Sequence, residues 1–390
     1  MHFDVVIAGG GAVGSAAAYF LTADPGFRGS VAVLEPDPTY QRCATTLSAA
    51  SIRHQFSTPE NIRMSQFGTE FLRRFPEDLA VDGTRPDPAF VEGGYLFLAT
   101  RAGLPVLREN HALQCSLGAD IALLEPGDLA TRYPWMRVDD LAGGTLGLSG
   151  EGWLDAYGLL QGLRRKAIAQ GAVYLPHRVV SVDRAGRRVR SVGLDDGRGL
   201  GCGALVNAAG IGAPVLARLA GIDLPVQARK RSVFYLQCPQ ILPGCPMVID
   251  PSGAYFRPEG QGFIAGIAPP PEQDPECHDF DVQHALFEGL LWPLLAARVP
   301  AFEALRCGRS WAGHYDMNLV DQNVILGPHP DLDNLYFANG FSGHGMQQAP
   351  AVGRALVELI VHGGFRTLDL ERLGWRRILE GRPLIERNVV

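Results

Sequence analysis

The chain has 390 residues, with 35 lysines and arginines against 41 aspartates and glutamates, and its formal net charge of −6 argues against a surface built for nucleic acid or an anionic membrane. Hydrophobic residues make up 46% and charged residues 19%, which excludes disorder as the dominant state and is typical of a globular α/β protein. Because the length exceeds what one hydrophobic core usually fills, we expect two domains.

The first predicted elements are a strand, a glycine loop and a helix start. The strand is the apolar run 5–8, and the helix pattern covers 15–21. Gly9 permits a tight turn, Gly11 leaves room for a pyrophosphate, and Gly14 lets the helix pack close to the strand. The helix N-terminus then presents unpaired N–H groups to the phosphates. This order predicts a dinucleotide site with the loop residues Gly9, Gly10, Gly11, Ala12, Val13 and Gly14.

A second short strand ends in an acid. The apolar run Val31–Leu34 is followed by Glu35, which lies 21 residues after Gly14. A carboxylate at this position accepts hydrogen bonds from a ribose diol in dinucleotide-binding folds. A secretory signal is disfavoured, since Met1–Asp4 lacks lysine and arginine and three glycines interrupt the apolar run.

Helix patterns follow in the first half of the chain. Apolar residues recur at helical spacing from Ser57 to Phe75, with Ser57-Thr58-Pro59-Glu60 as a capping start. A second helix pattern covers Ala156 to Gln170. It is followed by a strand pair, formed by 173–182 and a segment that begins near Val189.

The next strand ends in small residues. The run 204–210 finishes with Asn207-Ala208-Ala209-Gly210 and enters a helix pattern over 211–219. Small residues after a buried strand allow a ligand to approach the backbone closely. This segment is therefore a candidate second dinucleotide contact, far along the chain from the first.

Two stretches differ from the rest of the chain in composition. Residues 89–147 and 223–305 are richer in proline and in strand-like runs, which predicts a substrate domain. The nucleotide domain is then discontinuous, with the parts 1–88, 148–222 and 306–390. It closes with Gly340-Phe341-Ser342-Gly343-His344-Gly345 and a helix over 351–361, and the last residues, through Arg387, are predicted to be a surface tail.

Cysteine usage and hydropathy limit the class further. The seven cysteines are scattered and never spaced as CxxC, which suggests neither a disulfide framework nor a metal site. No apolar segment reaches the roughly 20 residues needed to span a bilayer. We expect a cytoplasmic protein without a transmembrane segment.

Together, the N-terminal loop, Asn207–Gly210 and the Gly340–Gly345 run resemble the D-amino-acid oxidase superfamily of FAD enzymes, which includes sarcosine oxidase, dimethylglycine dehydrogenase and glycine oxidase. Four segments, 53–62, 150–153, 252–257 and 311–316, are closer to the FAD-dependent oxidoreductase domain-containing proteins, which in animals are linked to assembly of respiratory complex I. The resemblance implies FAD, a Rossmann-like domain of the glutathione-reductase type, a substrate domain on a mixed or antiparallel sheet, and oxidation of a C–N bond.

The resemblance also implies site residues. Arg53 matches an arginine that holds the substrate carboxylate in sarcosine oxidases, although a salt bridge near FAD is an equal alternative. The lysine that shares this task is replaced by Gln347, which weighs against a small amino acid as substrate. Tyr255 and Tyr315 match two active-site tyrosines, and a buried structural role is the alternative for each. The other residues expected to contact FAD are Ser48, Val180, Ala208, Gly210, Gly313, Gly343, His344, Gly345, Met346 and Gln347.

Two histidines are further candidates. A helix beginning near Ala349 would direct its N-terminal amides at the flavin pyrimidine edge, where they favour negative charge, and His344 would add to this or hold the loop. His54 follows Arg53 and is a candidate base or flavin attachment point. Non-covalent FAD is nevertheless expected, because the segment that carries the attachment cysteine in sarcosine oxidase has none here, and Cys307 lies upstream.

Three functions follow from these expectations. The first is an FAD-dependent dehydrogenase for a secondary amine or amino acid with an unidentified electron acceptor; the lysine that assists reaction with oxygen is replaced by Ile264, which disfavours a fast oxidase. The second is a 2-hydroxy acid dehydrogenase, with His54 or His344 as base. The third is a flavoprotein that binds a protein partner such as a respiratory-chain subunit.

Overall fold

A computed structural model describes residues 1–388. The strands are β1 His2–Ala8, β2 Val31–Leu34, β3 Ser51–Ile52, β4 Tyr95–Ala99, β5 Ile121–Leu124, β6 Gly143–Gly147, β7 Gly152–Trp153, β8 Val173–Leu175, β9 Val179–Ala185, β10 Arg188–Leu194, β11 Gly199–Asn207, β12 Val226–Gln237, β13 Met247–Ile249, β14 Tyr255–Glu259, β15 Gly262–Gly266, β16 Arg306–Asn318, β17 Ile325–Pro328 and β18 Leu335–Asn339. The α-helices are α1 Ala12–Ala23, α2 Pro59–Asp78, α3 Leu104–Ser116, α4 Pro126–Arg132, α5 Ala156–Ala169, α6 Ala213–Leu219, α7 His284–Leu286, α8 Trp292–Arg298, α9 Gly345–His362 and α10 Arg376–Leu379.

The first sheet is largely parallel and forms the centre of the nucleotide-binding part. Its order is β17-β18-β11-β1-β2-β8, and the antiparallel hairpin β9–β10 extends from β11. The buried runs of β1 and β2 are continuous because α1, α5 and α9 cover one face and α6 covers the other. The parallel strands therefore end at one edge, where ligands bind in open α/β sheets.

The second sheet has eight strands in the order β16-β12-β15-β14-β13-β4-β6-β5. Its pairs are antiparallel except β13–β4, so the sheet is mixed. One face packs against α8 in an apolar core, and the other carries the aromatic side chains Tyr95, Phe97 and Tyr255. The expected α/β fold with a second, mixed-sheet part is thus confirmed.

One boundary of the predicted partition disagrees with the sheets. The expectation assigned all of 306–390 to the nucleotide domain, but β16 pairs with β12 over almost its whole length and so belongs to the second sheet. The first sheet resumes only at β17. A strand that crosses between the parts carries no composition change, which is why the sequence pattern placed the boundary too early.

Several predicted elements change their bounds. The run 173–182 is not one strand of a pair: β8 pairs with β2, and the hairpin partner of β10 is β9. The last long helix begins at Gly345 rather than near Ala349 or Ala351. Thr58 is the N-cap of α2, but its hydroxyl donates to the Glu386 carboxylate at 2.9 Å instead of capping the helix.

The predicted surface tail is wrong for the described residues near its end. Glu386 is 4% exposed and its carboxylate accepts hydrogen bonds from the start of α2. Asn388 contacts Arg53 through its backbone carbonyl. Arginines near the end of the chain, such as Arg387, are typical of a solvated tail, but the carboxylate of the preceding residue, Glu386, is buried.

Within residues 1–388, no helix combines the length and apolar character needed to cross a membrane. The same residues contain no group of three or more histidine, cysteine or acidic side chains placed to hold a metal ion.

Candidate functional site

The glycine loop connects β1 to α1 at the carboxyl edge of the first sheet. Gly9 has a φ of 103°, and a Cβ there would lie 2.2 Å from the Ala208 carbonyl oxygen. A Cβ at Gly14 would lie 1.9 Å from the Gly9 carbonyl oxygen, so only glycine permits this helix–strand approach. At Gly11 the nearest atom to a Cβ would be the Cys43 sulfur at 3.3 Å. The turn and packing roles predicted for Gly9 and Gly14 agree with this geometry.

Side chains from β2 and the loop after it surround the start of α1. Glu35 accepts a hydrogen bond from the Gly10 amide at 2.9 Å, and burial raises the pKa of its carboxyl. Thr45 Oγ1 accepts the Ala12 amide at 3.1 Å. The neighbouring Thr46 hydroxyl is buried without a hydrogen-bond partner among residues 1–388. Neither threonine could be predicted from the sequence, because a Thr-Thr pair in a loop carries no spacing signal.

The end of β11 lies beside the loop and leaves space open. The Ala208 amide donates to the Ala8 carbonyl at 2.9 Å, which fixes this end against β1. Gly210 has a φ of 52°, and a Cβ there would have no heavy atom within 4 Å. At the end of β18, the Asn339 amide is buried with neither its oxygen nor its nitrogen bonded within the described chain. Open space and unpaired polar atoms at the carboxyl edge of a parallel sheet fit a bound dinucleotide.

The loop 340–344 leads into α9, and an acid holds it. Asp316 accepts the Gly340 amide at 2.7 Å, and burial raises the pKa of this carboxyl to about 6. A Cβ at Gly343, whose φ is 95°, would lie 2.5 Å from the Tyr315 ring. The helix starts at Gly345, so the amides of Gly345 and Met346 belong to its first turn and carry the positive end of the helix dipole.

Arg53 is 1% exposed and lies in an aromatic box. Its guanidinium carbon is 4.0 Å from the Phe56 ring centroid and 5.3 Å from that of Phe97. Its nitrogens donate to the backbone carbonyls of Gln55 and Asn388, and Nη2 is 3.2 Å from His344 Nε2.

No carboxylate of the described chain forms an ion pair with Arg53. The salt bridge near FAD that the sequence left open would need an acid within 4.0 Å, and residues 1–388 provide none. The charge of Arg53 acts to lower the pKa of the Glu151 carboxyl, but burial raises that pKa to about 7, and its oxygens accept the His54 amide at 2.5 Å and the Gln55 amide at 3.1 Å. The groups that Arg53 contacts directly through its guanidinium, two backbone carbonyls and the His344 ring, carry no negative charge.

The two candidate histidines differ in position. His344 packs edge-on against Phe56 with centroids 4.9 Å apart, and burial together with Arg53 holds the pKa of its imidazole well below the usual value. His54 is bonded to the Thr69 hydroxyl at 2.9 Å, and Gly150 packs against its ring. Burial lowers the pKa of His54 to about 4. The structure thus brings His344, but not the His54 ring, to Arg53.

Gln347 is bound to the backbone of the Arg53 segment. Its Oε1 accepts the Arg53 amide at 3.0 Å and the Ser65 hydroxyl at 3.3 Å. The amide oxygen is therefore used to position Arg53, and the position offers no second cation for a carboxylate.

Three tyrosines and a second guanidinium lie on the aromatic face of the second sheet. Tyr255 and Tyr95 belong to one buried cluster, and burial raises the pKa of Tyr255 and Tyr315. The Arg231 guanidinium is 5.2 Å from the Tyr315 ring centroid and is paired with Asp274 at 2.8 Å. The charges of Arg231 and Arg53 act to lower the pKa of Tyr315 against this burial, so both guanidinium groups influence the ring electrostatically.

The remaining predicted cofactor residues are spread around these groups. Ser48 donates to the Thr45 carbonyl at 2.7 Å, and a Cβ at Gly313 would lie 3.0 Å from Leu47. Val180 is exposed near the start of β9, and Met346 is buried in the first turn of α9. Cys307 is exposed.

Comparison with known proteins agrees with this architecture. A family model described as FAD dependent oxidoreductase matches residues 4–359. FAD-dependent oxidoreductase domain-containing protein 1 of Xenopus laevis is 43% identical over 423 aligned positions, which cover 99% of this chain and 85% of that protein. Human mitochondrial sarcosine dehydrogenase is 27% identical over 92% of this chain and 40% of its own length.

Solved structures show the same fold. L-Proline dehydrogenase from P. horikoshii superposes with a TM-score of 0.85 at 25% identity, covering 97% of this chain and 98% of that one. Glycine oxidase from Geobacillus kaustophilus gives a TM-score of 0.81 at 23% identity and covers 96% of this chain and 98% of that one.

Proposed function

Because the chain belongs to the FAD dependent oxidoreductase family, whose members use FAD, we propose that it is a dehydrogenase that oxidises the C–N bond of a secondary amine or amino acid carrying a carboxylate. The observation that carries the proposal is Arg53, a buried guanidinium with no acidic partner in the described chain. An unpaired buried charge costs several kcal/mol, and a substrate carboxylate would offset that cost through two parallel hydrogen bonds.

The residues around the glycine loop fit FAD. Gly9, Gly11 and Gly14 would receive the pyrophosphate with the first amides of α1, and Glu35 would accept from the ribose. The unpaired Thr46 hydroxyl would bind a polar group of the cofactor. When bound, FAD supplies the two-electron acceptor for a hydride from the carbon beside the nitrogen. The first-turn amides of α9 favour the negative charge that reduction produces.

Further FAD contacts are proposed from the same arrangement. They are Ala12, Val13, Ser48, Val180, Ala208, Gly210, Gly313, Gly343, His344, Gly345, Met346 and Gln347. Non-covalent attachment is supported by the absence of cysteine from 311–316 and by the His54 ring, which is held by Thr69. Acid-precipitated protein should therefore lose its yellow colour.

Arg53 would hold the carboxylate, and the aromatic groups around it would exclude water. Tyr255 and Tyr315 form part of that wall on the second sheet. Hydride removal needs a neutral amine, and burial among these aromatic groups would lower the pKa of a bound ammonium, because desolvation disfavours the charged form.

The 2-hydroxy acid alternative has less support. It needs a base for the hydroxyl, but the depressed pKa of His344 makes its imidazole a weak one, and the His54 ring points at Thr69. Two similar proteins favour a secondary amino acid instead, since the names of human sarcosine dehydrogenase and P. horikoshii L-proline dehydrogenase both specify such a substrate.

Anaerobic reduction of the flavin tests the proposal. The panel contains proline and sarcosine, the matched amines pyrrolidine and dimethylamine, and lactate. We expect bleaching by one of the carboxylate-bearing amines and none by its matched amine. Bleaching by pyrrolidine or dimethylamine at an equal rate would contradict the role of Arg53, and bleaching by lactate alone would support the hydroxy-acid alternative. Reduction by no member, with a stable protein complex recovered, would favour the partner-binding role.

The choice of dehydrogenase over oxidase rests on the residue at 264. Ile264 is buried in β15 and pairs with Arg257, whose guanidinium is bound to the Ala49 carbonyl at 2.8 Å. No lysine is available there to stabilise superoxide. Stopped-flow mixing of the reduced protein with air-saturated buffer should give slow reoxidation, and a rate as fast as that of sarcosine oxidase would contradict this preference.

A further inference from the structure

We propose that the segment Leu384–Asn388, called the strap here, is a displaceable ligand of Arg53 that leaves the guanidinium when a substrate carboxylate binds. The inference rests on the proposed function, because it takes Arg53 as the carboxylate-binding group. It adds that part of the chain itself covers Arg53, and that binding of a carboxylate to Arg53 displaces this segment in the same step.

The tip of the strap occupies donors that a carboxylate would use. Arg53 Nη2 donates to the Asn388 carbonyl oxygen. The Asn388 side chain donates to the Gln55 carbonyl at 3.1 Å and accepts from the Asn110 amide at 3.2 Å. Backbone and side chain of Asn388 are thus both bound beside Arg53.

The base of the strap is held much more firmly. The Glu386 carboxylate accepts the Ser57 amide and hydroxyl, both at 2.7 Å, the Thr58 hydroxyl at 2.9 Å and the Asn61 amide at 3.0 Å. These groups form the N-terminal end of the 20-residue α2, where a negative charge is also favoured by the helix dipole. Glu386 therefore remains attached while residues beyond it move.

Besides the contacts of Asn388 with Arg53, Gln55 and Asn110, the tip is held by two backbone amides and one ion pair: the Arg387 amide donates to the Ser57 hydroxyl at 2.8 Å, and the Asn388 amide donates to Glu386 at 3.0 Å. Arg387 pairs with Glu109 at 3.2 Å, but both side chains are about half exposed or more, and such pairs contribute little. A neutral carbonyl is also a poorer acceptor for a guanidinium than a carboxylate, which binds it with two charge-assisted hydrogen bonds. A carboxylate ligand consequently outcompetes the Asn388 carbonyl, and the strap pivots at Glu386.

Trypsin reports the position of the tip, because it cleaves after Arg387. The FAD-loaded protein is treated with trypsin in acetate, in acetamide and in sodium chloride of equal ionic strength, and release of the peptide beginning at Asn388 is followed by mass spectrometry. We expect slow release in chloride and acetamide and at least a severalfold faster release in acetate. Fast release without acetate, or an equal rate in all three, would overturn the proposal.

A pair of variants distinguishes the effect of the strap on acetate affinity from the effect of a change in surface charge. Glu109→Gln removes the ion pair of Arg387 and should tighten acetate binding by about twofold to fivefold, the effect of weakening a competing ligand by an exposed ion pair. Glu125→Gln breaks a similar exposed pair with Arg108 at 3.2 Å and is the matched control. Equal acetate affinities in the two variants would contradict the strap.

Acetate binding itself is measured by the flavin difference spectrum. If acetate perturbs the flavin but leaves tryptic release unchanged, the strap is wrong and the carboxylate role of Arg53 survives. If acetate produces no perturbation and no amino acid reduces the flavin, the proposed function fails, and the strap fails with it.

Discussion

The cofactor end and the substrate end of the site are built in different ways. The glycine loop of the cofactor end comes from the contiguous residues 9–14, in which a Cβ at Gly14 would meet the Gly9 carbonyl oxygen at 1.9 Å. The substrate end brings Arg53 together with His344, Gln347 and Asn388, which lie about 290 to 335 positions further along the chain. Local spacing specifies the glycine loop, whereas only long-range packing specifies the substrate end.

The largest expected effect breaks the cofactor end. Gly14→Ala places a methyl group against backbone that has no room to move, so we expect a loss of about 3 kcal/mol or more in unfolding free energy and loss of bound FAD. Thermal unfolding and the visible flavin spectrum measure both. Gly199→Ala is the matched control, since a Cβ at this β11 glycine would have no heavy atom within 4 Å. Equal stability of the two variants would contradict the packing role of Gly14.

The second effect concerns His54, which lies behind the substrate end. Its pKa is about 4 in the folded state, below its usual 6.5. The folded state therefore has its full stability above pH 6.5, where the imidazole is neutral in both states, and it loses up to about 3 kcal/mol as the pH falls to 4. His54→Gln should remove that loss. Urea denaturation at pH 7 and pH 4.5 should show that the unfolding free energy of the variant, relative to that of the natural protein, is higher at pH 4.5 than at pH 7. A constant difference would mean that His54 titrates normally.

Glu151 acts in the opposite direction over an overlapping range. Its pKa is raised from 4.5 to about 7, so the folded state loses stability as the pH rises through that interval. The quantity to compare at the two pH values is therefore the difference in unfolding free energy between His54→Gln and the natural protein, because the Glu151 contribution cancels in that difference.

The third effect concerns Gln347, which occupies the position where sarcosine oxidases have a lysine that holds the substrate carboxylate. Gln347→Lys removes the acceptor of the Arg53 amide and places a second cation in a buried pocket, which should cost about 1 to 3 kcal/mol. Gln347→Glu keeps an acceptor oxygen and is the comparison. We expect the lysine variant to unfold at lower urea concentration without tighter acetate binding. Tighter binding would show that this position faces the ligand.

The smallest expected effect concerns the Thr46 hydroxyl at the cofactor end. The Thr46 hydroxyl has no partner in the described chain, so Thr46→Val should leave the FAD-free protein equally stable. If the hydroxyl binds the cofactor, FAD affinity should fall by about tenfold, the value of one hydrogen bond. Fluorescence titration of the FAD-free protein measures this. An unchanged affinity would remove Thr46 from the cofactor site.

The same contrast explains what could be predicted from the sequence. The β1 loop, Glu35 and the glycine run before α9 follow from residue types at fixed spacing, and in the structure Glu35 accepts the Gly10 amide. Gln347 could not be interpreted correctly, because its partner is a backbone amide 294 residues away. The role of Glu386 was hidden for a similar reason, since an acid among arginines near the end of a chain is typical of a solvated surface.

The central claim is that Arg53 binds a carboxylate, and acetate titration of the oxidised FAD-loaded protein tests it most directly. We expect acetate, but not acetamide, to perturb the flavin spectrum with saturation. Arg53→Met should raise the acetate Kd by about 10-fold to 100-fold, and Arg53→Lys, which keeps the charge but loses the paired donors, should give an intermediate value. Equal responses to acetate and acetamide, or an acetate Kd that Arg53→Met leaves unchanged, would contradict the claim.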